Sequence, residues 1–298
     1  MATLTTAGTF GTYTTGETVD IFKHIFDGLA TVGLTQTADT GQLNLTTAPA
    51  AVFSSASYSY GYTVHRFNDT YQSTYPIYIR IDYLNANITS TTVMKPTFKF
   101  TVGTSTNGAG VIGGDLDSQT FTFSASSTTD RTTRYSFLCY KDHNLSILIN
   151  DGSGIAGVTQ YLAIGRLINT NGVIINGYVK TNNLWSAGTG HNWYDTVVQP
   201  TKTARHFTTN SGQSPYFIPH QDTWSPSGLT VGADIPVFPY TILTPDYVTA
   251  THMLCTTSNV TNGNTFTSAR LGRTYTYRGT NVHKPNSYTY LTNCMIWE

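Results

Sequence analysis

From residue 57 onward the chain alternates apolar and polar positions with period two. In YPIYIRIDYL (75–84), Ile77, Ile79 and Ile81 point one way while Tyr78, Arg80 and Asp82 point the other. The same alternation recurs at 57–67, 96–102, 119–125, 134–140, 144–150, 161–168, 172–180, 235–243, 273–279 and 288–297. Period two is the signature of a half-buried β-strand, and Thr, Tyr, Val and Ile suit its pleated surface. Turn clusters such as TSTNGAG, INDGSG and INTNG separate the runs. Short strands with no helices between them predict a mainly β chain: antiparallel β-sandwich or barrel-like sheets with long irregular loops.

One segment has the other period. Between Glu17 and about Val32, apolar residues fall at Val19, Ile21, Phe22, Ile25, Phe26, Leu29 and Val32. That stripe predicts an N-terminal amphipathic helix. Thr14 and Glu17 have capping-box spacing, and Gly33 is placed to end the helix. Gly28 weakens its interior.

The pattern breaks over 182–234, where Trp185, Trp193 and Trp224 stand among polar residues. The expected organisation is therefore a helix plus antiparallel β domain over 1–181, an extended loop or arm over 182–234, and C-terminal strands over 235–298 completing the same β domain. The aromatic content of the arm is unlike a disordered linker. We expect it to order by packing on a neighbour. Large aromatics dominate buried contacts, so Trp185, Trp193, Tyr194, Tyr216, Phe217 and Trp224 are the candidate interface or glycan-contacting residues. Tyr58, Tyr60 and Tyr62 are expected on one strand face, as a tyrosine ladder or an interface, with a sugar-binding platform as the alternative.

Charge narrows the function. Lys+Arg and Asp+Glu are equal at 16 each, and charged residues make up 11% of the 298, against about 25% in ordinary soluble domains. Threonine fills much of the gap, with 55 copies. No basic footprint for nucleic acid is visible. No apolar run approaches a membrane span, and the first twenty residues lack the charged and apolar regions of a secretory signal.

Motifs for chemistry are weak. Gly108–Gly113 matches GxGxxG, but an alternating strand follows where the dinucleotide-binding version needs a helix, so a glycine-rich hairpin loop is expected. Asp115 and Asp117 resemble the start of a calcium loop that lacks its closing Glu, since Ser126 stands there. Asp39, Asp69 and Asp151 read as isolated turn acids. The eight histidines show no metal-ligand spacing, although His191, His206 and His220 share the irregular region. Neither a serine-hydrolase elbow nor a pair of facing carboxylates can be nominated. Cys139, Cys255 and Cys294 read as buried free thiols, with one disulfide left open. No catalytic residue, metal or cofactor is expected.

In style and order the chain resembles tailed-bacteriophage virion structural proteins. The likeness runs through GLTQTADTGQ (33–42), YGYTVHRFND (60–69), YPIYIRIDY (75–83) and PTFKFTVGTSTNGAG (96–110), and continues in SARLGRTYTYRG (268–279) and YTYLTNCMIWE (288–298). The resemblance implies a non-enzymatic tail, tail-tip or baseplate component that assembles as a homo-oligomer in the host cytoplasm and resides in the virion. Its partners would be copies of itself and other virion proteins, with no nucleic acid and no membrane insertion. The alternatives are a head-decoration (cement) protein and a module that binds a host-surface glycan. Low charge agrees with assembly, because it removes self-repulsion.

Overall fold

A computed structural model describes the backbone of residues 3–6, 16–53, 57–85 and 96–114, and of the strands that follow them in the chain. Side chains are described across the three longer stretches and at Leu138, 144–147, Leu162 and 164–166. The chain is mainly β and antiparallel, with one helix among the described residues. It begins with β1 (Thr3–Thr6), α1 (Asp20–Thr31), β2 (Thr35–Gln36), β3 (Tyr58–Arg66), β4 (Tyr78–Asn85) and β5 (Pro96–Gly103). Then come β6 (Ser105–Thr106), β7 (Ile112–Gly113), β8 (Asp117–Thr122), β9 (Tyr135–Lys141), β10 (Asn144–Asn150), β11 (Thr159–Ile168) and β12 (Ile174–Asn182). The last part holds β13 (Asp195–Gln199), β14 (Lys202–Phe207), β15 (Phe217–Ile218), β16 (Val237–Leu243), β17 (Val248–Thr256), β18 (Thr265–Ser268), β19 (Arg273–Tyr277) and β20 (Asn293–Trp297).

Among the described residues three larger sheets form. The first has the order β2-β3-β4-β5-β8, the second β1-β9-β10-β11-β12, and the third β15-β16-β17-β20-β19-β18. Small ribbons β6-β7 and β13-β14 complete the set. The stretch 182–234 is therefore not wholly irregular, since its backbone includes the β13-β14 hairpin and β15.

Helix α1 joins the first two sheets through one core. Its Ile21, Phe22, Ile25 and Leu29 are buried with Ile77, Ile79, Ile81, Tyr83, Phe98, Phe100 and Val102 of the first sheet. Leu138, Leu145, Ile147, Leu162 and Ile164 of the second belong to the same cluster. Each such side chain contributes about 1.5–3 kcal/mol when fully buried. The alternation in β4 is realised as the sequence requires, with Ile79, Ile81 and Tyr83 at 0% exposure.

The helix ends differ from expectation on one side only. Its N-cap is Val19, with no side-chain cap, so the Thr14–Glu17 capping box does not start it. The reason is tertiary. Glu17 and Thr18 pair with the 50–51 segment, through Ala51 N–H to Glu17 O and a Thr18–Ala50 bridge, and this holds the backbone extended. At the other end Gly33 does stop the helix. Its φ of 99° is left-handed, and Leu34 N–H reaches Leu29 O while Gly33 N–H reaches Ala30 O. Both bonds together make a Schellman motif. Gly28 acts as a contact, because a Cβ there would lie 3.0 Å from Leu138 Cδ1. Its missing side chain lets the helix approach the second sheet.

The tyrosine ladder of β3 is divided. A bulge between Ser59 and Gly61 shifts the register against β4. Tyr60 therefore packs edge-on to Phe22 of the helix, at 5.2 Å between ring centroids. Tyr62 lies on the opposite face, under Arg80. An extra residue inverts side-chain phase, which strict alternation cannot foresee.

Candidate functional site

The outer face of the first sheet carries Tyr62, Val64 and Arg66 of β3 beside Tyr78, Arg80 and Asp82 of β4. Over it folds the glycine-rich hairpin β6-β7, as a loop returning into a strand and not into a helix. Gly103 permits the descent, since a Cβ there would stand 2.4 Å from Ile112 Cγ2.

Three side chains pin this hairpin. Asp39 accepts from Thr37 Oγ1 at 2.6 Å through one oxygen, and through the other from Gly110 N–H at 2.8 Å and from the Thr106 hydroxyl. Burial by itself would raise the Asp39 carboxyl, but the hydrogen bonds from Thr106, Thr37 and Gly110 outweigh it and hold the group below its ordinary value. The Tyr62 hydroxyl shares its proton between Thr40 O at 2.6 Å and Ala109 O at 3.1 Å. Arg80 donates from Nη1 to Gly110 O at 2.8 Å, pairs with Asp82, and stacks 4.1 Å above the Tyr62 ring. Within the turn, Asn107 Oδ1 accepts from Ala109 and Val111 N–H at 2.9 and 3.1 Å. The result is a rigid tip with Val111 exposed.

Gly110 is the tightest point. Its φ is +79°, and a Cβ would meet the Tyr62 ring at 2.2 Å. Gly110→Ala should therefore lift the hairpin and raise hydrogen exchange at the 108–111 amides, with a stability loss of about 1–2 kcal/mol from the left-handed backbone alone. Gly108→Ala isolates that backbone share, because Gly108 has φ +80° with open space around it.

A second polar cluster ties the two sheets together. Arg166 of β11 is 1% exposed. It pairs through Nη1 with Asp69, and donates from Nε to Tyr75 O at 2.8 Å and from Nη2 to Gln72 Oε1 at 3.2 Å. Gln72 in turn bonds both polar groups of the Ile77 backbone. Asp69 is a turn acid as expected, accepting from Tyr71 N–H, but it also serves as counter-ion to a residue 97 positions away. Sequence reading missed Arg166, because an arginine in a strand pattern carries no local mark of its partner.

Inside the core, the hydroxyls of Tyr83 and Thr63 lie 2.9 Å apart, and His65 Nε2 lies 3.0 Å from the Thr63 hydroxyl. Burial pushes the His65 imidazole from 6.5 down to about 4. The unfolded chain then takes up the proton first. Stability from this site is complete above pH ~6.5 and is lost as pH falls from there towards about 4. Thermal unfolding at pH 7 and 4.5 should show that loss, and His65→Gln should reduce it.

Of the six nominated aromatics, Trp185, Trp193, Tyr194, Tyr216 and Trp224 lie outside the described residues. Phe217 is placed by its backbone only, in β15 opposite Ile242. His191 and His220 also lie outside, as do Asp115 and Asp151, while His206 is placed by its backbone in β14 opposite Thr196. Backbone register sets Cys255 of β17 opposite Cys294 of β20 and places Cys139 in β9. Among the described residues no group of three or more His, Cys, Asp or Glu could hold a metal ion, and no helix is long and apolar enough to cross a membrane.

No family model, curated protein or solved structure matches the chain.

Proposed function

We propose that this protein is a non-enzymatic structural component of a tailed-phage virion, of the tail or its tip and baseplate region, assembled from several copies of itself. One observation carries the reading. Asp39, Asp69, Arg80 and Asp82 of the first sheet and its turns, together with Arg166 of the second sheet, serve to pin loops and join layers. A chain with few charges that uses them for rigidity presents weakly charged, threonine-rich sheets to its surroundings. Such surfaces suit close contact with copies of the same chain. Trp185, Trp193, Tyr194, Tyr216, Phe217 and Trp224 are the proposed anchors of that contact.

Solution mass and immunogold labelling of particles test the proposal together. An oligomer with label on the tail is expected. A monomer absent from particles would overturn it, and label on the head would favour the decoration role. Trp193→Ala and Trp224→Ala should prevent assembly.

A further inference from the structure

At one end of the outer sheet face, the 69–76 turn and strand β6 enclose an open-sided cleft of about 550 Å³. Small-molecule sites typically measure about 300–1,000 Å³. The floor is fixed by Asp69 and Gln72, both held by the buried Arg166. Asp69 thus has its countercharge inside the protein and does not repel an anion at the mouth. Arg66 lines the opening and is exposed, and its guanidinium has no hydrogen-bond or ion-pair partner among the described residues. It stands directly across the strand pair from Tyr78, which also lines the cleft. Ser73 and Ser105 add exposed hydroxyls.

This lining has a definite preference. Serine hydroxyls both donate and accept, so they match the hydroxyls of a sugar, and a phenol ring offers a flat face to a sugar ring. An unpaired guanidinium favours a carboxylate, which it can hold through two parallel bonds. A polar, open cleft has little to offer an apolar ligand. We propose that the cleft binds a small acidic saccharide, with Arg66 taking its carboxylate and Tyr78, Ser73 and Ser105 its ring and hydroxyls. None of its lining residues is among the aromatics assigned to assembly, and its failure would leave the structural role untouched.

Titration of the full chain with D-glucuronate, D-glucose and inorganic phosphate, followed by calorimetry, tests the assignment. Glucuronate should bind saturably in the millimolar range, with glucose and phosphate each weaker by about tenfold or more. Arg66→Gln, at an exposed and unpaired position, should fold normally and weaken glucuronate by about tenfold. Lys99→Gln, an exposed cation of β5 outside the cleft, should bind as the parent does. No saturable response to glucuronate would overturn the proposal. So would phosphate binding as tightly, glucose binding as tightly, or an equal loss in Lys99→Gln.

Discussion

Replacing Arg166 with Met should cost about 3–5 kcal/mol, the usual penalty for removing one partner of a buried ion pair. The Asp69 carboxylate would remain, with its side chain 8% exposed and without the Arg166 guanidinium that pairs with it. Tyr75 O would lose the Arg166 donor as well, and Gln72 Oε1 would keep only Ile77 N–H of its two. Arg166 also stacks 5.2 Å from the Phe67 ring, so its removal thins the packing where the 69–76 turn meets the second sheet. Urea unfolding should register the loss as a lower midpoint. The double variant Asp69→Asn with Arg166→Met should recover much of it, because no charge is then left buried. If the double variant were as unstable as the single one, the cost would lie in packing and not in the orphaned charge.

Phe22→Ala carries the second large effect, also about 3–5 kcal/mol. Phe22 is fully buried, and three rings meet it edge-on: Tyr60 at 5.2 Å, Tyr83 at 5.2 Å and Phe98 at 5.3 Å. Such edge-to-face pairs contribute about 0.5–1.5 kcal/mol beyond the area they bury. Truncation opens a cavity where helix and sheet meet, and the strand side of that cavity cannot collapse without breaking its ladder. Ile21→Val, which removes one methyl from the same helix face, should cost only about 0.5–1.5 kcal/mol. Denaturant unfolding of the pair would separate the role of the aromatic cluster from the general cost of altering the helix.

Both predictions rest on contacts that differ in how far the sequence announces them. Phe22 is announced. It belongs to a 3.6-residue stripe, and its burial follows from periodicity without any knowledge of its partners. Arg166 is not. Its strand has the usual alternation, and nothing near it in the chain calls for a carboxylate. The hairpin at 104–114 is intermediate. Its glycines and following strand mark a turn, but its fastening to Asp39, Tyr62 and Arg80 depends on residues that only folding brings close. The cleft beside Arg66 was likewise illegible, since its walls come from a turn and a strand about thirty residues apart.

The sequence by itself determined the mainly β class, the inward set Ile77, Ile79 and Ile81, the buried stripe of helix α1 and the glycine that ends it. These follow from local rules, in which side-chain period and backbone conformation are set by neighbours in the chain. Only the tertiary structure decided that Gly28 is a contact for Leu138, that a bulge sends Tyr60 and Tyr62 to opposite faces, and that Arg166 answers Asp69. Each of those depends on which surfaces meet in space. A bulge or a buried charge is stable only when a particular distant partner completes it, so no local pattern can contain it.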